Sequence, residues 1–282
     1  MKKVILIPDL HGRLFWLKAV AEASADTRII FLGDYTDPYG FEEITPLEAY
    51  QIFIEVIDFA RHHPNVELLL GNHDCGYLFG KEVCNCRTDK ERYPQIRQLF
   101  LDNLDLFKFC TEVCIGNRRY LVSHAGINRL WLEAHAGDLY PHRRMSVNTL
   151  WKKINECLLL PSHLTDTAKV AMLSEVSGHR GGLDPYSSIV WADIDEFEDS
   201  GAHIAVDQIV GHTLQAFEDF GKEEYCIYYG GACVKKGPGS TVYCIDTAEA
   251  YYLDSEGVLH YMRNDKAVEE NIRQSCSSPA NT

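Results

Sequence analysis

The chain has 282 residues, 46% hydrophobic and 24% charged, a balance that supplies a substantial core. A formal net charge of −14 argues against a nucleic-acid backbone as partner, because phosphate tracking needs clustered Lys and Arg. No apolar run approaches the roughly 18 residues of a membrane span. Met1-Lys2-Lys3 leads into only four apolar residues before Pro8, too few for a secretory signal. The ten cysteines are therefore expected to be reduced thiols in a cytoplasmic protein. Cys75, Cys84 and Cys86 fall close together, but a lone C-x-C favours free thiols over a zinc site.

In chain order, residues 3–8 read as a strand, 14–23 as a helix, 28–32 as a strand, 46–62 as a long amphipathic helix and 66–70 as a strand. This β-α-β-α-β opening predicts neighbouring parallel strands, whose carboxyl ends form the edge where ligands collect. Gly116-Asn117 marks a hairpin between strands at 112–115 and 119–123. Residues 145–175 look helical and polar and are expected to flank a site. From residue 202 onward strands dominate: 204–210, 224–229, 241–246, 250–253 and 258–261. A second sheet packed on the first, with helices outside, is expected. Residues 1–264 are expected to form one domain, and 265–282 a frayed polar tail.

Five short motifs stand at the ends of such strands: Asp9-Leu10-His11, Gly33-Asp34-Tyr35-Thr36-Asp37, Gly71-Asn72-His73-Asp74, Ser123-His124-Ala125-Gly126 and Gly211-His212-Thr213. Taken singly, Asp, Asn and Gly after a strand are ordinary turn chemistry. Five in order supply the oxygens and imidazoles that two adjacent divalent cations need, an arrangement that clamps a phosphate and generates a nucleophile. One carboxylate must bridge the ions. Asp34 is the natural bridge, lying in chain order between the D-x-H pair and the later ligands. Mixed oxygen and imidazole donors suit manganese, iron or zinc better than calcium. His62, His63, His135, His142, His163, His203 and His260 carry no motif and are read as structural.

The motif series resembles that of the calcineurin-like metallophosphoesterases. The resemblance implies a four-layered αββα sandwich of two mixed sheets flanked by helices, an α/β (α+β) fold. It further implies that Asp9 and His11 hold one metal, that Asp34 bridges, and that Asn72, His124 and His212 hold the other. His73 is similar to the family's catalytic histidine, donating a proton to the leaving alkoxide, with Asp37 orienting it. The last motif departs from the phosphodiesterase form G-H-x-H, because Thr213 and Leu214 follow His212. The first metal thereby has one fewer protein ligand.

Leu121–Ile127 (LVSHAGI), residues 189–193 (IVWAD) and 243–247 (YCIDT) are similar to motifs of the phosphoprotein-phosphatase branch and its bacterial diadenosine-tetraphosphatase relatives. That branch reads G-D-x-V-D-R-G, whose Arg grips the substrate phosphate; here Pro38 stands at that position. Losing a guanidinium removes both charge and fork geometry. Arg180, in His179-Arg180-Gly181-Gly182, matches in order the family's second phosphate-binding Arg, and Arg13 is a further substitute; Tyr35 and Tyr39 flank the acidic loop and could line the pocket. The expected activity is a dinuclear-metal phosphomonoesterase acting on a phosphorylated protein or a small phosphate ester. The competing readings are a symmetrical dinucleoside tetraphosphate hydrolase and a non-catalytic metal-binding scaffold.

Overall fold

A computed structural model describes residues 3–84, 87–139, 149–159, 161–214, 216–218, 227–229, 232–263 and 265–268. The amino-terminal half alternates strands and helices as expected: β1 (Val4–Ile7), α1 (Phe15–Ala21), β2 (Arg28–Phe31), α2 (Pro46–His62), β3 (Val66–Leu69) and α3 (Asn72–Leu78). The start of α2 is written in its sequence. Thr45 accepts from the Glu48 amide, Glu48 reaches back to the Thr45 amide, and Pro46 occupies the first turn, where its missing N–H costs nothing. Ala49, Ile52, Phe53, Val56, Ile57 and Ala60 then recur at helical spacing and are buried. Burial of a side chain such as Phe53 contributes about 1.5–3 kcal/mol.

Next come α4 (Tyr93–Asp102), β4 (Phe107–Lys108), β5 (Cys110–Ile115), β6 (Arg118–Ser123), α5 (Arg129–Ala134) and α6 (Ala136–Leu139). The predicted hairpin joins β5 to β6 with Ile115 paired to Arg118, and Gly116 takes the left-handed conformation at φ +58°. The stretch expected to be helical contains α7 (Leu150–Leu158) and α8 (Thr167–Leu173), while residues 145–148 lie outside the described ones. The chain continues through β7 (Asp207–Val210), β8 (Ala216–Glu218), β9 (Ile227–Tyr229), β10 (Cys233–Gly237), β11 (Ser240–Cys244), β12 (Tyr251–Leu253) and β13 (Leu259–Tyr261). Residues 224–226 of one expected strand fall outside the described residues. Of the expected tail only 265–268 are described; there Ala267 pairs with His260 and Val268 is buried.

Two mixed sheets form the centre of the fold. One runs in the order β13-β12-β1-β2-β3-β4, the other β10-β11-β7-β6-β5, and β8 pairs with β9 separately. β1, β2 and β3 are parallel neighbours, as the β-α-β-α-β reading predicts. Strand alternation assigns the layers. Ile5, Ile7, Ile29, Phe31 and Leu68 face a helix-covered core with Phe53 and Phe100. Val4, Leu6, Ile30, Leu32 and Leu69 face the other sheet through Val113, Val122, Ile209 and Tyr243. On the far side, Leu121 joins Trp131, Leu150 and Ile154 under α5 and α7. Both faces of both sheets are thus covered, the αββα sandwich. The parallel strands of both sheets end on one edge, which carries the motifs.

Candidate metal centre

Each motif begins where a strand stops. Asp9 and His11 follow β1, Asp34 and Asp37 follow β2, Asn72 and His73 open α3 directly after β3, His124 follows β6, and His212 follows β7. Backbone bonds tie the turns together. The His11 amide donates to Asp34 O at 2.7 Å, and the Gly211 amide donates to His124 O at 2.7 Å. The His212 amide donates to the Asp9 carboxylate at 3.0 and 3.1 Å, and the His73 amide to Asp34 Oδ1 at 3.1 Å. A Cβ at Gly71 would collide with Asp34 Oδ1, and one at Gly211 with Asp9 Oδ1, so these glycines let backbone close over the carboxylates.

Four of these residues have left-handed backbone: His11 at φ +46°, Asp34 at +53°, Asp37 at +61° and His212 at +66°. Such conformations cost about 1–3 kcal/mol each and collect at functional sites. All six expected ligands are buried. Candidate ligand atoms of Asp9, Asp34, His124 and His212 lie within 4.8 Å of one another, and so do those of His11, Asp34 and His73. Asp34 is the member common to both groups, as a bridging carboxylate requires.

Hydrogen-bond chemistry tests whether this set fits metal. His124 Nδ1 stands 2.8 Å from the Leu32 carbonyl, which can only accept, so Nδ1 carries the hydrogen and Nε2 a lone pair. His11 is fixed in the same way by the Thr36 carbonyl at 2.9 Å, turning its Nε2 toward Asp34 Oδ2 at 3.6 Å. Asn72 donates its amide hydrogen to Cys84 Sγ at 3.7 Å, leaving Oδ1 as an acceptor. That oxygen lies 3.1 Å from His124 Nε2, which in turn is 3.1 Å from His212 Nδ1. Adjacent donors of an octahedral shell with bonds of about 2.1 Å stand about 3 Å apart. The residues therefore fit a cation at the Asn72–His124–His212 corner.

Electrostatics agree. Burial, then the neighbouring His73, holds His11 well below the usual histidine range, and burial followed by the Arg180 charge does the same for His212. Both are neutral imidazoles, the form that binds metal. Burial and the Asp34 charge push Asp74 up to about 7.

The chemistry-bearing pair sits beside the ligands. His73 Nδ1 lies 2.9 Å from Asp37 Oδ2, with both side chains buried. Asp37 Oδ1 accepts from Tyr77 Oη at 2.7 Å and from the Asp89 amide at 3.0 Å, so the carboxylate cannot swing away.

Arg180 reaches the same edge. Its Nη2 donates to His212 O at 2.9 Å and to Thr213 Oγ1 at 3.2 Å, and its Nε pairs with Asp193 Oδ2 at 2.8 Å. Asp193 closes the IVWAD stretch, and three residues later the Glu196 carboxylate is buried and accepts from Ser177 and Ser187 hydroxyls at 2.7 and 2.6 Å. Arg13 is committed to Glu42 at 2.6 Å and the Asp9 carbonyl at 3.2 Å, joining two site loops. Tyr39 sits edge-on to His11 at 4.8 Å, whereas Tyr35 is core, stacked on Phe53. Cys75 and Cys84 are buried free thiols; Cys86 lies outside the described residues.

Two residues at the site, Arg87 and Tyr77, carry no motif that marked them, and a third, Asp74, closes the Gly71-Asn72-His73-Asp74 motif without a role read from it. Arg87 donates through Nε and Nη2 to the Asp37 carbonyl at 3.3 and 3.2 Å and lies 3.9 Å over the Tyr39 ring. It comes from a loop fourteen positions after His73, and nothing in local spacing reveals that loop's return. Asp74 accepts from the Asp34 and Gly71 amides, both at 2.8 Å, clamping two ligand loops. Its place three residues into a helix that opens after Gly71 is a capping signal that the sequence does contain. Tyr77, one turn later on α3, holds Asp37.

Comparison with known proteins follows this geometry. Among solved structures, a Saccharomyces cerevisiae serine/threonine phosphatase similar to human PP5 is 16% identical, with 90% of this chain and 73% of that one covered at a TM-score of 0.47. A phosphoesterase from E. coli is 12% identical, covering 95% and 94% at a TM-score of 0.36, and a metallophosphoesterase from Sphaerobacter thermophilus is 14% identical, covering 97% and 94% at 0.37. The model of the calcineurin-like phosphoesterases matches residues 2–216, most of the chain, and the protein belongs to that family.

Proposed function

We propose that the protein is a dinuclear-metal phosphomonoesterase acting on a phosphorylated protein or a small phosphate ester. Asp9, His11 and Asp34 would hold one divalent ion, and Asp34, Asn72, His124 and His212 the other, with manganese the best match to these donors and iron or zinc also suited. When bound, two such ions supply charge for the phosphoryl oxygens and acidify a water molecule. The observation that carries the reading is the 2.9 Å His73–Asp37 pair, buried beside the ligand cluster. A scaffold that only stored metal would have no use for it.

The protein's own groups then divide the work. Asp37 holds His73 Nδ1, which leaves Nε2 to donate a proton to the departing alkoxide, a contribution of roughly 10²–10⁴-fold. Asp37 is itself held by Tyr77 and Asp89, so the imidazole is oriented before substrate arrives. Arg180 is the leading phosphate contact in place of the guanidinium lost at Pro38. Its Nη1 has no partner among the described residues, while its other nitrogens fix the side chain. Arg87 supports the opposite rim beside Asp37, and its charge reaches His11.

A panel of phosphopeptides, p-nitrophenyl phosphate and diadenosine tetraphosphate, assayed with manganese, tests the proposal. Turnover of the monoesters is expected. Preference for the tetraphosphate would point instead to dinucleotide cleavage, and no turnover of any of them, with both ions bound, to a scaffold.

A further inference from the structure

Arg87 is a cation at the rim of the site to which the motif comparison gives no role. Two contacts pin it on either side of Pro38. Its Nε and Nη2 donate to the Asp37 carbonyl at 3.3 and 3.2 Å, and its guanidinium lies 3.9 Å over the ring of Tyr39. Tyr39 is itself held, stacked on Phe41 at 5.1 Å with its amide turned to Glu42 Oε2 at 3.4 Å. The guanidinium is thus fixed although the residue is exposed, and Phe41 next to Tyr39 is 49% exposed. A group already held in place loses less freedom when it binds a ligand.

What Arg87 lacks is an acid. Arg13, Arg28, Arg61, Arg92, Arg129 and Arg180 each have a carboxylate partner, as expected in a protein of net charge −14. No carboxylate pairs with Arg87 among the described residues, and its Nη1 has no partner among them. The next acid along its loop, Asp89, is taken by Arg92 at 3.1 Å.

The two arginines of the site lie on different sides of the ligand cluster. Arg180 is tied to the His212 carbonyl at the Asn72–His124–His212 corner. Arg87 holds the carbonyl of Asp37, the residue whose carboxylate orients His73. His11 stands between them, edge-on to His73 at 5.2 Å and to Tyr39 at 4.8 Å. With His73 as the proton donor to the leaving oxygen, the departing part of the substrate lies on the Arg87 side. We propose that Arg87, on its Tyr39–Phe41 ledge, is a specificity subsite for a second anionic group, a carboxylate or a phosphate, carried by the leaving alcohol. Acidic phosphopeptides and small phosphate esters with a second anion share that chemistry.

This inference rests on the phosphomonoesterase reading, and matched substrate pairs separate the two. One pair is 3-phosphoglycerate and glycerol 3-phosphate; the other is a phosphoserine peptide flanked by Asp and the same peptide flanked by Asn. Turnover of neither member of either pair by the manganese-loaded wild type would overturn the reading, and the subsite with it. The subsite predicts that wild type favours the acidic member roughly two- to fivefold in kcat/KM, the scale of an exposed ion pair, mainly through KM. A preference confined to the peptides would place the second anion on a protein substrate, and one confined to the small esters would place it on a metabolite. Added salt should shrink the preference, because exposed charges are screened.

The variants distinguish an anion contact from a brace. Arg87→Ala should abolish the preference, Arg87→Glu should invert it, and Arg87→Lys should retain part of it, since the charge remains without the fork. A wild type that treats both members of each pair alike would overturn the proposal, and so would a preference that survives Arg87→Glu. Equal loss of kcat on both members in all three variants would also overturn it, making Arg87 only a support for Asp37.

Discussion

His124 Nε2 and Asn72 Oδ1 face each other across 3.1 Å as two acceptors, each forced into that role by a hydrogen bond on its other side, to Leu32 O and from Asn72 Nδ2 to Cys84. Lone pairs aimed at one another are unfavourable unless a cation lies between them. Manganese should therefore stabilise the chelator-stripped protein. At a concentration a hundredfold above the dissociation constant the gain is about 2.7 kcal/mol. For a chain of this size that amounts to a rise of several degrees in melting temperature, about 2–4 °C per kcal/mol. Differential scanning fluorimetry with and without metal checks it, and calcium should do less than manganese.

Asp34 is shared by both ligand groups. Asp34→Asn should release at least one ion and abolish turnover, because a neutral amide leaves two neighbouring cations poorly screened. Elemental analysis after desalting decides the point. Full occupancy with normal turnover would contradict the bridge.

His73→Ala should separate binding from chemistry. Both ions stay, since His73 is outside the six-ligand set, while kcat on alkyl phosphates falls roughly 10²–10⁴-fold. Aryl esters such as p-nitrophenyl phosphate should suffer less, because the leaving phenolate needs little protonation. Equal losses on the two classes would make His73 a positioning residue for the phosphate.

Arg180→Ala should weaken phosphate-ester hydrolysis and product-phosphate inhibition without releasing metal. A lost charge-assisted contact costs on the order of 1.5–3 kcal/mol, roughly ten- to a hundredfold. Arg180→Lys should recover only part, because a point charge lacks the guanidinium fork. The effect of Arg87→Ala should be smaller and should fall mainly on KM, since Arg87 braces the Asp37 carbonyl from the exposed rim. Unchanged phosphate inhibition in Arg180→Ala, with its loss in Arg13→Ala, would move the anion contact across the metals.

Much of this site is legible in the sequence because its chemistry is local. Asp9, His11, Asp34, Asn72, His124 and His212 each follow a short apolar strand, and strand ends of parallel sheets converge whatever lies between them. The capping signals of α2 are equally local, and its boundaries agree with the reading. What sequence could not supply is anything set by distant packing. β4 is two residues long and exists because Leu68 and Leu69 pair with it, and β10 carries no clear alternation. Arg87 reaches Asp37 through the return of a loop. Tyr35 shows the opposite limit. It lies in the acidic motif, yet its ring packs on Phe53 and its hydroxyl on the Leu69 carbonyl, so it is core.

The claim on which the rest depends is a pair of ions joined by Asp34. Crystals soaked in manganese and measured at the manganese absorption edge test it most directly. The account predicts two anomalous peaks about 3.5–4 Å apart, one on each side of the Asp34 carboxylate, the second contacting Asn72, His124 and His212. A single peak, or a pair that leaves Asp34 unligated, would contradict it.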